Sequence, residues 1–553
     1  MSKIRKSLDK FRSHLLVRAA KKGFANSPAL ALFACGGGSG GLVDGLDGFP
    51  SSYVAPAANY IGPTSVDKNY EVLSVPYVEP YWVKALEMDQ LDIHVTPMLE
   101  DFERVIEYII PDTQPSYDHD SVMGWQPATE EMRKASHEIL SRFEEILDIS
   151  IVETTEPAAT NVISVGRSNQ ATTSGFSYFP NNFYEIGMDV FIAKGYANPR
   201  FTTDLLTNYD YEVLVHELGH ALGLKHPFEA SGANTATLSG AEDNTANTAM
   251  SYDDNSVTFN GTLRPFDWMA LTKFYGVKST YNAGDDTYNF SSSGGTFIID
   301  GAGLDTISAA DTSRDVTVDL RPGGHSHLGS KSSYITSANQ LTISHGSDIE
   351  NVETGSGDDT VIATALDNLI TTGAGDDTIF AGGGADVIRS GTGSDRIDLS
   401  EALQAVDTVA VDASLFNLGF DTIYGFVQGA AGDVLDFTGI LEAGADLFPL
   451  VAAGAAPVAN FSGGVLRLVG DALASSADLV SALGDGGALS PLSMSDGARS
   501  VIVSAASQGT GEDQCVFYAR GSSAGIQISQ LALLQGNALD IDQWHASNLG
   551  LVA

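Results

Sequence analysis

Between residues 355 and 397 the chain repeats itself every nine residues, and a fixed short period restricts the fold more than any composition does. Asp359, Asn368, Asp377, Asp386 and Asp395 form one column, and Val361, Ile370, Ile379, Ile388 and Ile397 form a second, two places later. Glycines fill further columns at Gly357, Gly375, Gly384 and Gly393, with Gly355, Gly373, Gly382, Gly383 and Gly391 close by. A flexible Gly/Asp linker has no reason to keep an apolar column in phase over four intervals. Short strands that bury one face do need it, while the turns between them offer carbonyls and carboxylates. Oxygen ligands held flexibly suit calcium better than a transition metal. The candidate calcium ligands are therefore Gly355, Gly357, Asp359, Gly373, Gly375, Asp377, Gly382, Gly384, Asp386, Gly391, Gly393 and Asp395. Two earlier copies, at 284–288 and 301–307, add Asp286 and Asp305. Asn368, with Leu366 where a glycine is expected, marks a degenerate turn.

Stacked aspartates repel one another, so this segment should be disordered without a cation, and calcium binding is then folding free energy. The whole chain of 553 residues carries a net charge of -41, which argues against nucleic acid or an anionic membrane surface as partner. No apolar run approaches the roughly 20 residues of a membrane-spanning helix. Two cysteines, Cys35 and Cys515, cannot build a disulfide framework.

A second constellation lies at 216–227, in the sequence HELGHALGLKHP. His216 and His220 stand four apart, on one face of a helix, and can offer two imidazoles to a single metal. Glu217 follows the first of them and can reach a water on the metal without being a ligand. Gly223 can end the helix in a left-handed conformation and let the chain carry His226 back. Three neutral imidazoles with one open position describe catalytic zinc, whereas structural zinc is usually closed by four protein ligands.

This stretch resembles the metzincin zinc-protease signature H-E-x-x-H-x-x-G-x-x-H, and residues 247–252, NTAMSY, resemble the Met-turn of the serralysin branch. The nine-residue repeat is similar to G-G-x-G-x-D-x-U-x, the unit of the parallel β-roll of RTX proteins. The resemblance is strongest at 211–310 and 348–398. It implies an α+β metzincin-like catalytic domain followed by an all-β parallel β-roll (RTX) domain. It also implies a secreted, extracellular, zinc-dependent endopeptidase acting on proteins or peptides, with Zn2+ and Ca2+ as cofactors. Met250 would then lie beneath the zinc as an apolar floor. Tyr252 would ligate zinc at rest and swing away to steady the oxyanion, while Glu217 takes the proton of the zinc-bound water. A reading from another class stays open: a calcium-binding surface or matrix protein whose protease domain is non-productive.

Four regions follow: a leader and linker over 1–76, the protease domain over 77–282, the β-roll over 283–400 and a β-rich region over 401–553. The leader holds basic residues from Lys3 to Lys22, a short apolar run at 29–34, and then Cys35. Three readings fit that order: a lipoprotein signal with a lipid anchor on Cys35, a propeptide or disordered leader, or a Cys35 thiolate that blocks the zinc. The last residues, by resemblance, would be the signal read by a type I exporter.

Apolar spacing predicts a short helix through Leu99, Phe102, Val105, Ile106 and Ile109, and a longer one over 128–147. Strands are expected at 149–152, 162–165, 176–179 and 188–192, the last as the edge strand that holds substrate. His325, His327 and His345 read as ordinary strand and loop histidines.

Overall fold

The computed structural model describes residues 75–411 apart from 117–123, 156–159, 171–172, 182–185, 195–208 and 254–260. It also describes the strand Leu32–Cys35 and, beyond 411, chiefly 421–437, 464–469, 499–505, 514–522, 525–535 and 546–549. The basic run of the leader and residues 550–553 lie outside the described residues.

Among the described residues, the amino-terminal half combines helices α1 (Tyr81–Leu86), α2 (Leu91–Asp101), α3 (Glu130–Ile146), α4 (Tyr209–Ala221) and α5 (Pro265–Tyr275) with a mixed sheet. Its strands are β1 (Leu32–Cys35), β2 (Val105–Ile109), β3 (Gln126–Pro127), β4 (Ser150–Glu153), β5 (Val162–Ser168), β6 (Gly175–Tyr178) and β7 (Val190–Ala193). The order across the sheet is β1-β6-β7-β5-β2-β4, with β3 beside β5. Helix α3 begins where Thr129 accepts a hydrogen bond from Met132 N at 3.2 Å, and it buries Met132, Ala135, Ile139, Leu140 and Phe143. They join one core with Leu214, Leu218 and Met250.

Two expectations change here. The helix expected through Leu99–Ile109 stops at Asp101, and the second part of that stretch is the parallel strand β2, between β4 and β5. Glu103 and Arg104 take positive φ angles of 52° and 60°, which end the helix, and the β-branched Val105 and Ile106 then enter the sheet. The expected edge strand, β7, is interior: it pairs parallel with β5 and antiparallel with β6. All four of its residues are buried, as suits a strand covered on both faces. The strand next out is β6.

From Thr287 onward, short parallel strands alternate between two sheets. One contains Thr306–Ser308, Asn351–Glu353, Leu369–Thr371, Val387–Arg389, Thr408–Ala410 and Val434–Asp436. The other contains Val316–Asp319, Thr360–Thr364, Thr378–Gly382, Arg396–Asp398 and Asp421–Tyr424. Two nine-residue units thus make one coil. Register puts Ile370 beside Ile388 in the first sheet, and in the second Val361 beside Ile379 and Ile379 beside Ile397. All these side chains are buried in one continuous core. The glycine columns follow from the stacking: Gly391 and Gly393 have φ of 94° and 146°, and a side chain on either would strike the carbonyl of Gly373 or Gly375 one coil below.

Candidate metal centre

Helix α4 is buried from Tyr211 to Ala221, and its exit shapes the site. Leu224 N donates to Gly219 O at 3.1 Å and Gly223 N to His220 O at 2.9 Å. Gly223 sits at φ 104°, where a Cβ would lie 2.5 Å from Leu91. The reversed chain is held by Lys225 N on Leu86 O at 2.8 Å. That turn brings His226 to the two helix histidines: Nε2 atoms are 3.0 Å apart for His216 and His220, 3.1 Å for His220 and His226, and 3.3 Å for His216 and His226.

The far side of each ring says which nitrogen carries hydrogen. His216 Nδ1 lies 2.7 Å from Ala249 O and His220 Nδ1 lies 2.6 Å from Leu224 O, and a carbonyl only accepts. His226 Nδ1 faces Glu229 Oε2 at 3.3 Å. The Nδ1 atoms therefore donate, and three Nε2 lone pairs converge on one point. Burial lowers the pKa of His216 to about 4 and pushes those of His220 and His226 well below the usual range, so the imidazoles are neutral at pH 7. Lone pairs so close repel unless a cation lies between them. Zinc with Zn–N of about 2.05 Å would set tetrahedral nitrogens about 3.3 Å apart, so the three histidines fit that ion.

Met250 is fully buried, and a Cβ on Gly219 would lie 2.9 Å from its Sδ, so the methionine packs under the helix between the two histidines. The turn that presents it is anchored by Asp267 in the first turn of α5, a residue that sequence reasoning passed over. The buried Asp267 accepts from Thr248 Oγ1 at 2.5 Å, Ala249 N at 2.7 Å and Arg264 N at 2.9 Å. Arg264-Pro265 followed by an aspartate is a helix-start pattern that could have pointed to it. Tyr252 OH donates to His226 Nε2 at 2.9 Å. Phe228 stacks on His226 at 5.1 Å and 7° and also touches Tyr252, forming an aromatic wall that was not anticipated either. Glu217 is fully buried beside β6: a Cβ on Gly175 would lie 2.6 Å from its Oε1.

Lys225 stands within the motif yet is fully buried. Its ammonium donates to Ala85 O at 2.5 Å, Glu229 O at 2.7 Å and Ala236 O at 3.0 Å, clamping the loop after His226 to α1.

In the coiled half, each column aspartate bonds to the next coil. Asp359 N donates to Asp377 Oδ1 at 2.7 Å, Asp377 N to Asp395 Oδ1 at 2.9 Å, and Asn368 N to Asp386 Oδ1 at 2.8 Å. The second oxygens, Oδ2 of Asp305, Asp359, Asp377, Asp386 and Asp395, are buried with no hydrogen-bond partner. A column of buried carboxylate oxygens without donors is the arrangement a divalent cation would satisfy. Burial raises Asp377 to about 7 and Asp386 to about 9, helped by neighbouring carboxylates. Asn368 instead turns its amide to Glu350 O at 2.9 Å and offers no carboxylate. The glycines at 355, 357, 373, 375, 382, 384, 391 and 393 line the same turns. Asp286 and Asp305 lie together with Asp300, their carboxylate oxygens within 4.8 Å of one another. Asp300 was not anticipated, nor were Asp407, Asp421 and Asp433, which continue the column. His325, His327 and His345 take separate partners: Gln340, the Gly329 carbonyl and Tyr77.

Residues 362–397 match the family model of the RTX calcium-binding nonapeptide repeat. The chain is 29% identical over 263 residues to a serralysin of Proteus mirabilis, covering 40% of this chain and 52% of that protein. It is 28% identical over 234 residues to metallopeptidase AprA of Pseudomonas marginalis, covering 37% and 47%. Serralysin G of Dickeya chrysanthemi is 29% identical over 221 residues, covering 36% and 45%. The chain spans about half the length of the curated relatives it matches. Histidine cluster, coiled strands and sequence matches together make this chain similar to the serralysin-type metalloproteases that carry RTX repeats.

Proposed function

We propose that the chain is a zinc-dependent endopeptidase of metzincin type whose carboxy-terminal β-roll folds on calcium. The observation that carries this is the convergence of the three histidine Nε2 atoms within 3.3 Å, beside a buried glutamate and a tyrosine. The chemistry zinc supplies when bound there is Lewis acidity, which polarises a carbonyl and brings the pKa of a water toward about 7.

The chain's own residues do the rest. Glu217, at the wall formed by β6, takes the proton of the attacking water and returns it to the leaving amine. Tyr252, already at His226, donates to the oxyanion, a role commonly worth a factor on the order of 100 in rate. The peptide substrate lies extended, held by backbone pairing with the sheet. Phe228 flanks it with an apolar surface. Residues 77–282 carry the catalysis, 283–400 the calcium sites, and 401–553 the β-rich remainder with an export signal for a type I exporter. The calcium sites use Asp286, Asp305, Asp359, Asp377, Asp386 and Asp395 with the turn glycines. Calcium-dependent folding suits an extracellular site of action.

The test is casein hydrolysis at fixed calcium after zinc is stripped with a chelator and then restored. Loss and recovery of cleavage supports the proposal. Zinc uptake with calcium-dependent compaction but no cleavage of casein would favour the surface-protein reading.

A further inference from the structure

Leu218, Leu222 and Leu224 are buried, whereas Phe228, two residues past the third histidine, is 37% exposed and belongs to none of the hydrophobic cores. A single exposed apolar side chain is ordinary on a protein surface. This one is held in place at the metal centre. Its ring lies nearly parallel to that of His226, at 7° and 5.1 Å, and 4.9 Å from the ring of Tyr252, whose hydroxyl lies 2.9 Å from His226 Nε2. The backbone on either side is fixed: Pro227 O accepts from Leu238 N at 2.8 Å, and Glu229 O accepts from Lys225 Nζ at 2.7 Å. One face of the ring is therefore taken by a metal ligand, and what stays exposed is apolar surface beside the reacting centre. An extended chain advances about 3.5 Å per residue. A carbonyl held where the three Nε2 atoms converge thus brings the side chain of its own residue, or of the residue after it, within contact range of Phe228.

We infer that Phe228 is a specificity-determining residue, and that its exposed surface receives an apolar side chain, best an aromatic one, from one of the two residues joined by the scissile bond. This deepens, and rests on, the endopeptidase reading. The substrate class it names is protein or peptide cut next to phenylalanine, tyrosine, leucine or methionine. Offset or edge-to-face packing suits a ring whose other face is taken, and it removes apolar area of both partners from water. A small substrate side chain leaves Phe228 wet. An acidic one meets the carboxylate of Glu229, which lies 3.3 Å from His226 Nδ1. One apolar contact in a partly open site separates substrates on the order of tenfold.

The test uses the full chain, folded with calcium and loaded with zinc, in a Glu217→Ala background that prevents cleavage. Two synthetic heptapeptides carry the same terminal dye, one with a single phenylalanine at its centre and the other alanine throughout, and their binding is followed by anisotropy. An uncut peptide settles in its best register, so the readout holds whichever side of the scissile bond the ring falls. The expected result is binding about tenfold tighter for the phenylalanine peptide, a ratio that falls below about twofold in Phe228→Ala and persists in Phe228→Tyr. Both peptides meet the same protein, so a change in zinc loading moves the two affinities together and leaves their ratio. A ratio near one with Phe228 present, or an undiminished ratio in Phe228→Ala, overturns the inference. With Glu217 intact, kcat/KM for the two peptides should show the same ratio and the same dependence on Phe228. Cleavage at a ratio independent of Phe228 sinks the inference while leaving the endopeptidase reading standing. A Phe228-dependent binding ratio with no cleavage of either peptide or of casein leaves the apolar contact standing and sinks the endopeptidase reading.

Discussion

Asp267 holds Ala249 through its amide at 2.7 Å, and the carbonyl of that same residue takes His216 Nδ1 at 2.7 Å. One residue therefore links, through its N–H and its carbonyl, a buried carboxylate of α5 to a histidine of α4, fixing both the ring's tautomer and its aim. Replacing Asp267 by Ala leaves the Thr248, Ala249 and Arg264 donors without their acceptor. Zinc affinity is expected to fall on the order of 10- to 100-fold, read by competition with a chromogenic chelator.

Gly175→Val probes the wall behind the base. The added Cβ would lie 2.6 Å from Glu217 Oε1 and 2.8 Å from its Cγ, so the carboxylate must move. The turnover rate on casein should drop about 100-fold while zinc content stays at the level of the unaltered protein.

Lys225→Met keeps the length of the side chain and removes its donors. The carbonyls of Ala85, Glu229 and Ala236 lose a buried partner. The amino-terminal half should lose about 3 kcal/mol of stability, seen as a lower urea midpoint, because buried unsatisfied acceptors cost about 1 to 3 kcal/mol each.

The calcium-free β-roll should lose stability as pH rises. Asp377 and Asp386 have folded pKa values raised to about 7 and about 9, first by burial and then by neighbouring charge, against the usual 3.8. A carboxyl whose folded pKa lies above its unfolded value favours the fold most below that unfolded value. Its contribution fades as pH climbs through the folded one. Circular dichroism of the calcium-free protein should show more ordered roll at pH 5 than at pH 9. Calcium should restore order at pH 9, and Asp377→Asn should raise the calcium needed.

Periodicity made the two chemical motifs legible and hid what depends on distant pairing. The four-residue step from His216 to His220 and the nine-residue step of the aspartate column are local rules, so the helix and the coil follow from them directly. Leu99–Ile109 failed because its apolar spacing suits a helix as well as a helix followed by a strand, and only the backbone reversal at Glu103 and Arg104 decides. The order of β6 and β7 has no signature in either strand. Asp407, Asp421 and Asp433 keep the Asp-x-apolar triplet, but insertions between coils break the count of nine that would reveal them. Asp267 and Lys225 act across elements far apart in sequence, and a lysine inside a motif reads as a surface residue until its carbonyl partners are seen.

The central claim is that this chain cuts protein with Glu217 as base on a three-histidine zinc site. The most direct measurement compares casein cleavage by the calcium-folded protein and its Glu217→Ala variant, with zinc content determined for both. The account predicts equal zinc and cleavage by the unaltered protein alone, reduced by at least about 1,000-fold in the variant. Equal zinc and equal cleavage in the two proteins would contradict it.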